Sequence, residues 1–223
     1  MTKTAIILLA LAFAANAAIL TPVSYTTPNG YGVFSGGAFN YWDETYTGSG
    51  STTTDGALLS VGLGQLTDGV LPCSNDWAAD CGEGPAYRWV GWRLISPQIT
   101  FDFGSIVNFS GLRVFTNNLQ SGGVSLWSSA VIDISNDNVN YMNVATRTPS
   151  VAEAADTTAR FIETSFSGSG QYLRLTLNPA DVWIFVGEIE TLGDTAAAIP
   201  EPSGALLFAS GAILLGLRLR LRR

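Results

Sequence analysis

Alternation of apolar and polar positions sets the pattern of the second half of the chain. Ile99-Thr100-Phe101-Asp102-Phe103 places three apolar side chains on one face and ends at Gly104. Leu112-Arg113-Val114 follows and stops at Thr116-Asn117-Asn118. Ile132-Asp133-Ile134-Ser135 leads into the turn cluster Asn136-Asp137-Asn138, and Tyr141 to Ala145 resumes beyond it. Phe161 to Phe166 precedes Gly168-Ser169-Gly170, Tyr172 to Leu177 lines up three leucines, and Trp183 to Leu192 completes the series. A period of two residues belongs to a strand with one face buried, and clusters of Gly, Asn and Asp between such runs are turns. There is no heptad, long amphipathic helix or internal repeat. Many short strands separated by turn signals predict an all-β fold, an antiparallel β-sandwich or jelly roll.

The first half is less regular. Between residues 25 and 65, aromatic residues such as Tyr31, Tyr41, Trp42 and Tyr46 are scattered among glycines and threonines. Cys73 and Cys81 lie in a loop between the turn Leu66-Thr67-Asp68-Gly69 and the run Tyr87-Arg88-Trp89. With no further Cys and no His in the chain, they cannot complete a zinc site. In an oxidising compartment they are expected to pair, a crosslink worth about 2–3 kcal/mol in the loop-entropy account. Two free buried thiols are the alternative.

Composition changes the picture at the two ends. The 223 residues have only 13% charged side chains, and the mean hydropathy is +0.25. Much of that greasiness is terminal. Lys3, the apolar run Ala5 to Ala15 and Ala15-Asn16-Ala17 have the layout of a secretory signal peptide covering residues 1–17. Residues 18–195 then form the expected domain. Residues 196–223 contain Pro200-Glu201-Pro202, an apolar stretch from Gly204 to Leu217, and Arg218, Arg220, Arg222 and Arg223. Fourteen helical residues are about 21 Å long, and arginine snorkelling extends that toward a bilayer of about 30 Å. The arginines would stay on the cytoplasmic side of the inner membrane. The plain reading is a C-terminal tail anchor. The order of its parts closely resembles the PEP-CTERM sorting signal of Gram-negative bacteria. That resemblance implies processing by an exosortase near Pro200, Glu201 and Pro202, and an association with exopolysaccharide and biofilm matrix.

Charge and missing chemistry narrow the function. Without histidine there is no Ser-His-Asp or Cys-His nucleophile and no HExxH zinc site. Residues 18–199 hold six arginines, no lysine and seventeen acidic residues, a net charge of −11 against −7 for the whole chain. Such a surface argues against nucleic acid as a partner. It also disfavours polyanionic polysaccharides unless a cation bridges them, so neutral glycans are the expected class.

The ordered patches carry a second resemblance. Leu66-Thr67-Asp68-Gly69, Trp89-Val90-Gly91-Trp92, Ile99 to Gly104, Ile132 to Asp137, Tyr172 to Leu175 and Gly187-Glu188-Ile189-Glu190 are similar to discoidin-like (F5/8 type C) domains over about residues 60–193. The resemblance implies a galactose-binding-like jelly-roll sandwich, a fold of carbohydrate-binding and adhesion domains. It also implies a structural Ca²⁺ held by Asp68 and Glu188, with Asp76 as a third ligand, because Ca²⁺ takes six to eight hard oxygens. The alternative is that Asp68 only sets its turn and Glu188 is a solvated strand residue. The 25–65 segment and the cysteine loop depart from the family pattern where ligand loops would lie.

Six tryptophans suggest sugar stacking. Trp42, Trp77 and Trp127 fall in Gly-, Ser- and Asn-rich stretches and are the candidate ligand contacts, whereas Trp89, Trp92 and Trp183 flank strands and are expected to pack the core. Burial of any of the three candidates is the competing role. Asp133, Ser135 and Asp137 mimic the start of a calcium loop, yet a hairpin turn explains them better. A glycosidase pair would have to be drawn from Asp43, Glu44, Asp76 and Glu83. The sequence therefore points to an exported, non-catalytic surface or matrix protein binding glycan or mediating adhesion. The alternatives are a structural matrix protein without a specific ligand and a glycan-active enzyme.

Overall fold

The computed structural model describes residues 18–32, 40–77 and 88–195. The expected signal peptide and sorting segment, with Pro200, Glu201 and Pro202, lie outside these residues, as do Cys81 and Glu83. Nine strands are present among the described residues: β1 (Ala18–Leu20), β2 (Ser24–Pro28), β3 (Leu58–Gly62), β4 (Val90–Arg93), β5 (Gln98–Thr116), β6 (Trp127–Ser135), β7 (Met142–Arg147), β8 (Arg160–Pro179) and β9 (Trp183–Thr195). One short helix, α1 (Val151–Ala155), lies between β7 and β8. The fold is an all-β sandwich, and its strand ladders are antiparallel.

Its two layers share strands. The hydrogen-bonded order β1-β9-β5-β8-β6-β7 is continuous, with β2 and β3 branching from β5 and β4 from β9. The first part of β5 pairs with β2, and its later part pairs with β9, while β8 runs along both parts. Gly104 and Gly168-Ser169-Gly170, expected as strand ends, are instead where the long strands adjust. Asp102 pairs with Tyr172 and Val107 with Gly170, so β5 carries extra residues through a bulge at Gly104, whose φ is +72°. Glycine tolerates that left-handed conformation, and a bulge bends a strand without ending it.

Alternation produces the main core. Leu173, Leu175 and Leu177 of β8 have no exposure and face Ile99 and Phe101 of β5 and Ile132 of β6. Burying each such side chain contributes about 1.5–3 kcal/mol relative to leaving it in water. Trp92 is completely buried, and its Nε1 donates to the Pro28 carbonyl at 2.8 Å, tying β4 to β2. Trp89 and Trp183 are buried as well, so all three expected core tryptophans pack inside. The segment Ser135–Tyr141 makes the expected hairpin between β6 and β7, with Asp137 accepting from the Val139 and Asn140 amides at 2.9 and 2.8 Å.

Helix α1 is short but firmly capped. The Ser150 hydroxyl accepts from the Glu153 amide at 3.2 Å, and the Glu153 carboxylate accepts from the Ser150 amide at 2.7 Å. This reciprocal pair satisfies two amides that a helix start leaves open. Arg147 of β7 grips both Glu153 oxygens at 2.6 and 2.7 Å.

Candidate functional site

The loops that follow β5 and β7 and the turn between β8 and β9 gather at one end of the sandwich, with α1 among them. Chain connectivity explains why. At the other end β5 and β8 run on through the bulge, while here each long strand must stop and turn. Asn118 holds the gathering together. Its Nδ2 donates to the carbonyls of Ala154 and Asp156 at 3.0 and 2.7 Å, and its Oδ1 accepts from the Leu126 amide at 3.0 Å. These loops enclose an open groove of about 550 Å³, whose lining includes Asn118, Gln120, Ser125, Thr148 and Asp181. Gln120 sits at φ +64°, unusual for a residue other than glycine, and its amide donates to the Val124 carbonyl at 2.9 Å.

A second hydrophobic cluster supports this end. Tyr41, Trp89, Val124, Trp183 and Phe185 are buried together, with Tyr31, Trp77 and Phe115 packed against them. Tyr41 and Phe185 approach to 4.5 Å between ring centroids, and Trp89 stacks on Phe115 at 5.6 Å. Aromatic pairs at such spacings contribute about 0.5–1.5 kcal/mol beyond simple burial.

The three candidate tryptophans meet different fates. Trp77 is half-buried at the edge of this cluster, 6.1 Å from Tyr41, and its Nε1 reaches the Ser121 hydroxyl at 3.4 Å. Trp42 is half-buried over Gly32, where a Cβ would collide with its ring, and its Nε1 donates to Asp55 at 2.7 Å. Trp127 departs from expectation. It begins β6 and is 2% exposed within the main core, so neither ring face is open for a sugar to stack on. The structure does not gather the three into one platform. Trp127 is part of the groove's lining but buried, Trp77 reaches Ser121 one residue beyond the lining residue Gln120, and Trp42 is held on the 40–56 loop.

A buried polar hub anchors that loop. Tyr25 Oη donates to Asp43 Oδ2, and Asp43 Oδ1 accepts from the Gln65 amide at 2.9 Å. The Asp43 amide donates to Asn29 Oδ1 at 2.8 Å, and Asn29 Nδ2 reaches the carbonyls of Ser51 and Thr54. Burial pushes the Asp43 carboxyl up to about 6, against the opposing pull of the Tyr25 and Gln65 hydrogen bonds. Asp43 is thus locked in a structural network and has no solvent exposure. The other candidate acid in this loop, Glu44, accepts from Asn40 Nδ2.

The expected metal ligands assemble only in part. Glu188 of β9 is buried, and its Oε2 accepts from the Gly69 amide at 3.0 Å, next to Asp68. Burial, reinforced by Asp68 and Glu190, moves the Glu188 carboxyl up to about 8, and burial raises Asp68 too. A buried carboxyl beside an exposed one offers oxygens to a hard cation, although Arg88 already stands 3.9 Å from Asp68. Asp76 does not join them. No group of three or more His, Cys, Asp or Glu able to hold a metal occurs among the described residues. The three-carboxylate expectation is therefore corrected to the pair Asp68 and Glu188, and a bound ion would draw its remaining ligands from carbonyls and water.

Comparison with known proteins places this geometry. The profile of the family described as discoidin domain-containing receptor 1/2, DS-like domain, matches residues 22–192. The chain belongs to that family. Its similarity to the discoidin domain-containing receptor tyrosine kinase B of Caenorhabditis elegans is 22% identity over 156 residues, covering 67% of this chain and 18% of the receptor. The chain thus spans less than a fifth of that relative. Among solved structures, the CBM32 of AlyQ in complex with 4,5-unsaturated mannuronic acid is 20% identical, covers 46% of this chain and 75% of its own, and has a TM-score of 0.37. The C-terminal domain of a chitobiase from Bacteroides fragilis is 12% identical, with 48% and 74% coverage and a TM-score of 0.39.

This DS-like domain also contains site residues that its sequence does not announce. Gln120, Thr148 and Asp181 come from three separate loops, and no motif links them. The one readable signal nearby is Ser150-x-x-Glu153, whose capping-box spacing marks the start of α1.

Proposed function

We propose that this chain is an exported, non-catalytic protein of the cell surface or extracellular matrix that binds glycan or mediates adhesion through the loop end of its sandwich. The observation that carries this reading is the groove of about 550 Å³ at that end of a DS-like domain, with the half-buried Trp77 bonded to Ser121, the residue that follows the lining residue Gln120. Its mixture of amide, hydroxyl and apolar surface suits a saccharide, which offers hydroxyls at its rim and C–H groups on its faces. Trp42 and Trp77 remain the candidate contacts. A binding role also agrees with the state of the carboxylates, since Asp43 is sealed in its hub and Glu44 is held by Asn40.

In this reading residues 1–17 direct export, and residues 196–223 form a PEP-CTERM signal processed by an exosortase at the inner membrane of a Gram-negative bacterium, in an exopolysaccharide or biofilm setting. The support is the order of Pro200-Glu201-Pro202, the apolar stretch and the terminal arginines. No helix among the described residues is long and apolar enough to cross a membrane. Cys73 pairs with Cys81, and Ca²⁺ rests between Asp68 and Glu188 as a structural ion.

A glycan array read with and without EDTA tests the proposal. Binding to a defined set of glycans is expected, and a loss in EDTA would tie it to the ion. No binding in either condition overturns it in favour of a structural matrix protein.

A further inference from the structure

The hydrogen bonds around the groove leave it short of donors. Gln120 Nε2 gives one of its two hydrogens to the Ala154 carbonyl at 2.9 Å, and Asn118 Nδ2 is spent on the Ala154 and Asp156 carbonyls. The Ser125 hydroxyl donates to the Leu126 carbonyl at 3.1 Å, and the Ser128 hydroxyl to the carbonyls of Asn178 and Pro179 at 3.1 and 3.2 Å. Trp127 has an indole N–H without an acceptor, yet that atom is sealed from the surface. Oxygen acceptors predominate among the groups left to a ligand. Gln120 keeps its Oε1, and the Asp181 carboxylate keeps one oxygen beyond the Oδ1 that caps the Val182 amide at 2.8 Å. The Thr148 hydroxyl can serve either way.

Charge points the same way. Asp181 is the sole formally charged side chain in the lining, and no Arg or Lys lines the groove. The nearby cations are committed elsewhere: Arg147 grips Glu153, and Arg160 pairs with Asp156 at 3.1 Å. An acceptor-rich, cation-free groove gives a carboxylated or sulfated sugar no cation to pair with, and Asp181 repels its charge. A ligand rich in donors matches it, and an ammonium group does so best.

We infer that the groove selects saccharides bearing a free amine, with the ammonium set against Asp181, and rejects uronates. This rests on the glycan-binding reading above and assigns that site its ligand class.

Calorimetric titration of the full chain at pH 6 and low salt with a glucosamine disaccharide, its N-acetylated counterpart and a uronate disaccharide tests it. The amine is expected to bind about fivefold tighter than the acetylated sugar, the worth of one close ion pair in water-like surroundings. The uronate is expected to bind most weakly. Asp181→Asn keeps an acceptor for the Val182 amide and should erase the fivefold preference. Asp194→Asn, an exposed substitution near the other end of β9, should leave it intact. Equal affinity for amine and acetylated sugar, a tighter uronate, or equal effects of the two substitutions would overturn the selectivity while leaving glycan binding in place. Absence of binding by all three sugars, together with an empty glycan array, would overturn the glycan reading itself.

Discussion

The main core and the aromatic cluster at the loop end are built from different kinds of sequence. The main core takes its side chains from alternating positions of the long strands, so its members are mostly aliphatic and arrive in register. The cluster of Tyr41, Trp89, Trp183 and Phe185 is assembled from loops and strand ends far apart in sequence, and aromatic bulk replaces register as its organising feature. The difference separates two tasks. Stability resides in the strands, while the loop end needs only enough packing to hold a groove open.

The sharpest way to break that division is a pair of tryptophans. Trp92→Ala opens a void in the main core and strands the Pro28 carbonyl, so urea denaturation should show a loss of about 3–5 kcal/mol. Trp77→Ala, at the half-buried edge of the aromatic cluster, should cost no more than about 1–2 kcal/mol. Equal costs would erase the distinction.

Asp43 sharpens it at the seam between the two regions. Its folded carboxyl titrates near 6, above the unfolded value, so the folded state holds the proton more tightly. The stabilisation is complete below about pH 4 and is lost as pH rises through 6, amounting to about 3 kcal/mol. Unfolding free energies between pH 4 and 7 should therefore fall for the wild type relative to Asp43→Asn, whose side chain does not titrate. A constant difference between the two proteins across that range would remove Asp43 as the cause.

The smallest effect belongs to α1. Ser150→Ala removes one half of the capping box and should cost about 1 kcal/mol. Hydrogen exchange should speed up at the Glu153 and Ala154 amides and stay unchanged in β8.

The two regions also differed in how legible they were. The strands could be read because one-sided burial imposes a two-residue period, visible in Tyr172 to Leu177 without any knowledge of partners. Gly104 and Gly168 misled for a physical reason. Glycine marks a strand end and a bulge alike, and only the partner strand decides between them. Trp127 misled because Gly and Ser neighbours suggest a loop, whereas β6 begins at that residue and carries its ring inward. The Asp68–Glu188 approach was legible through family resemblance alone. The groove was not legible at all, because Gln120, Thr148 and Asp181 meet only after three loops have folded over one another.

Strand β9 runs from the loop end at Trp183 to Thr195, hydrogen-bonded to β5 along one side and to β4 and then β1 along the other. A pulling force entering at Thr195 and leaving through a ligand in the groove would travel along this strand. Its hydrogen bonds to β5 would then be loaded together in shear, where a hairpin pulled open from its end breaks them one at a time. Under the proposed binding role, β9 is the strand that would carry tension across the domain.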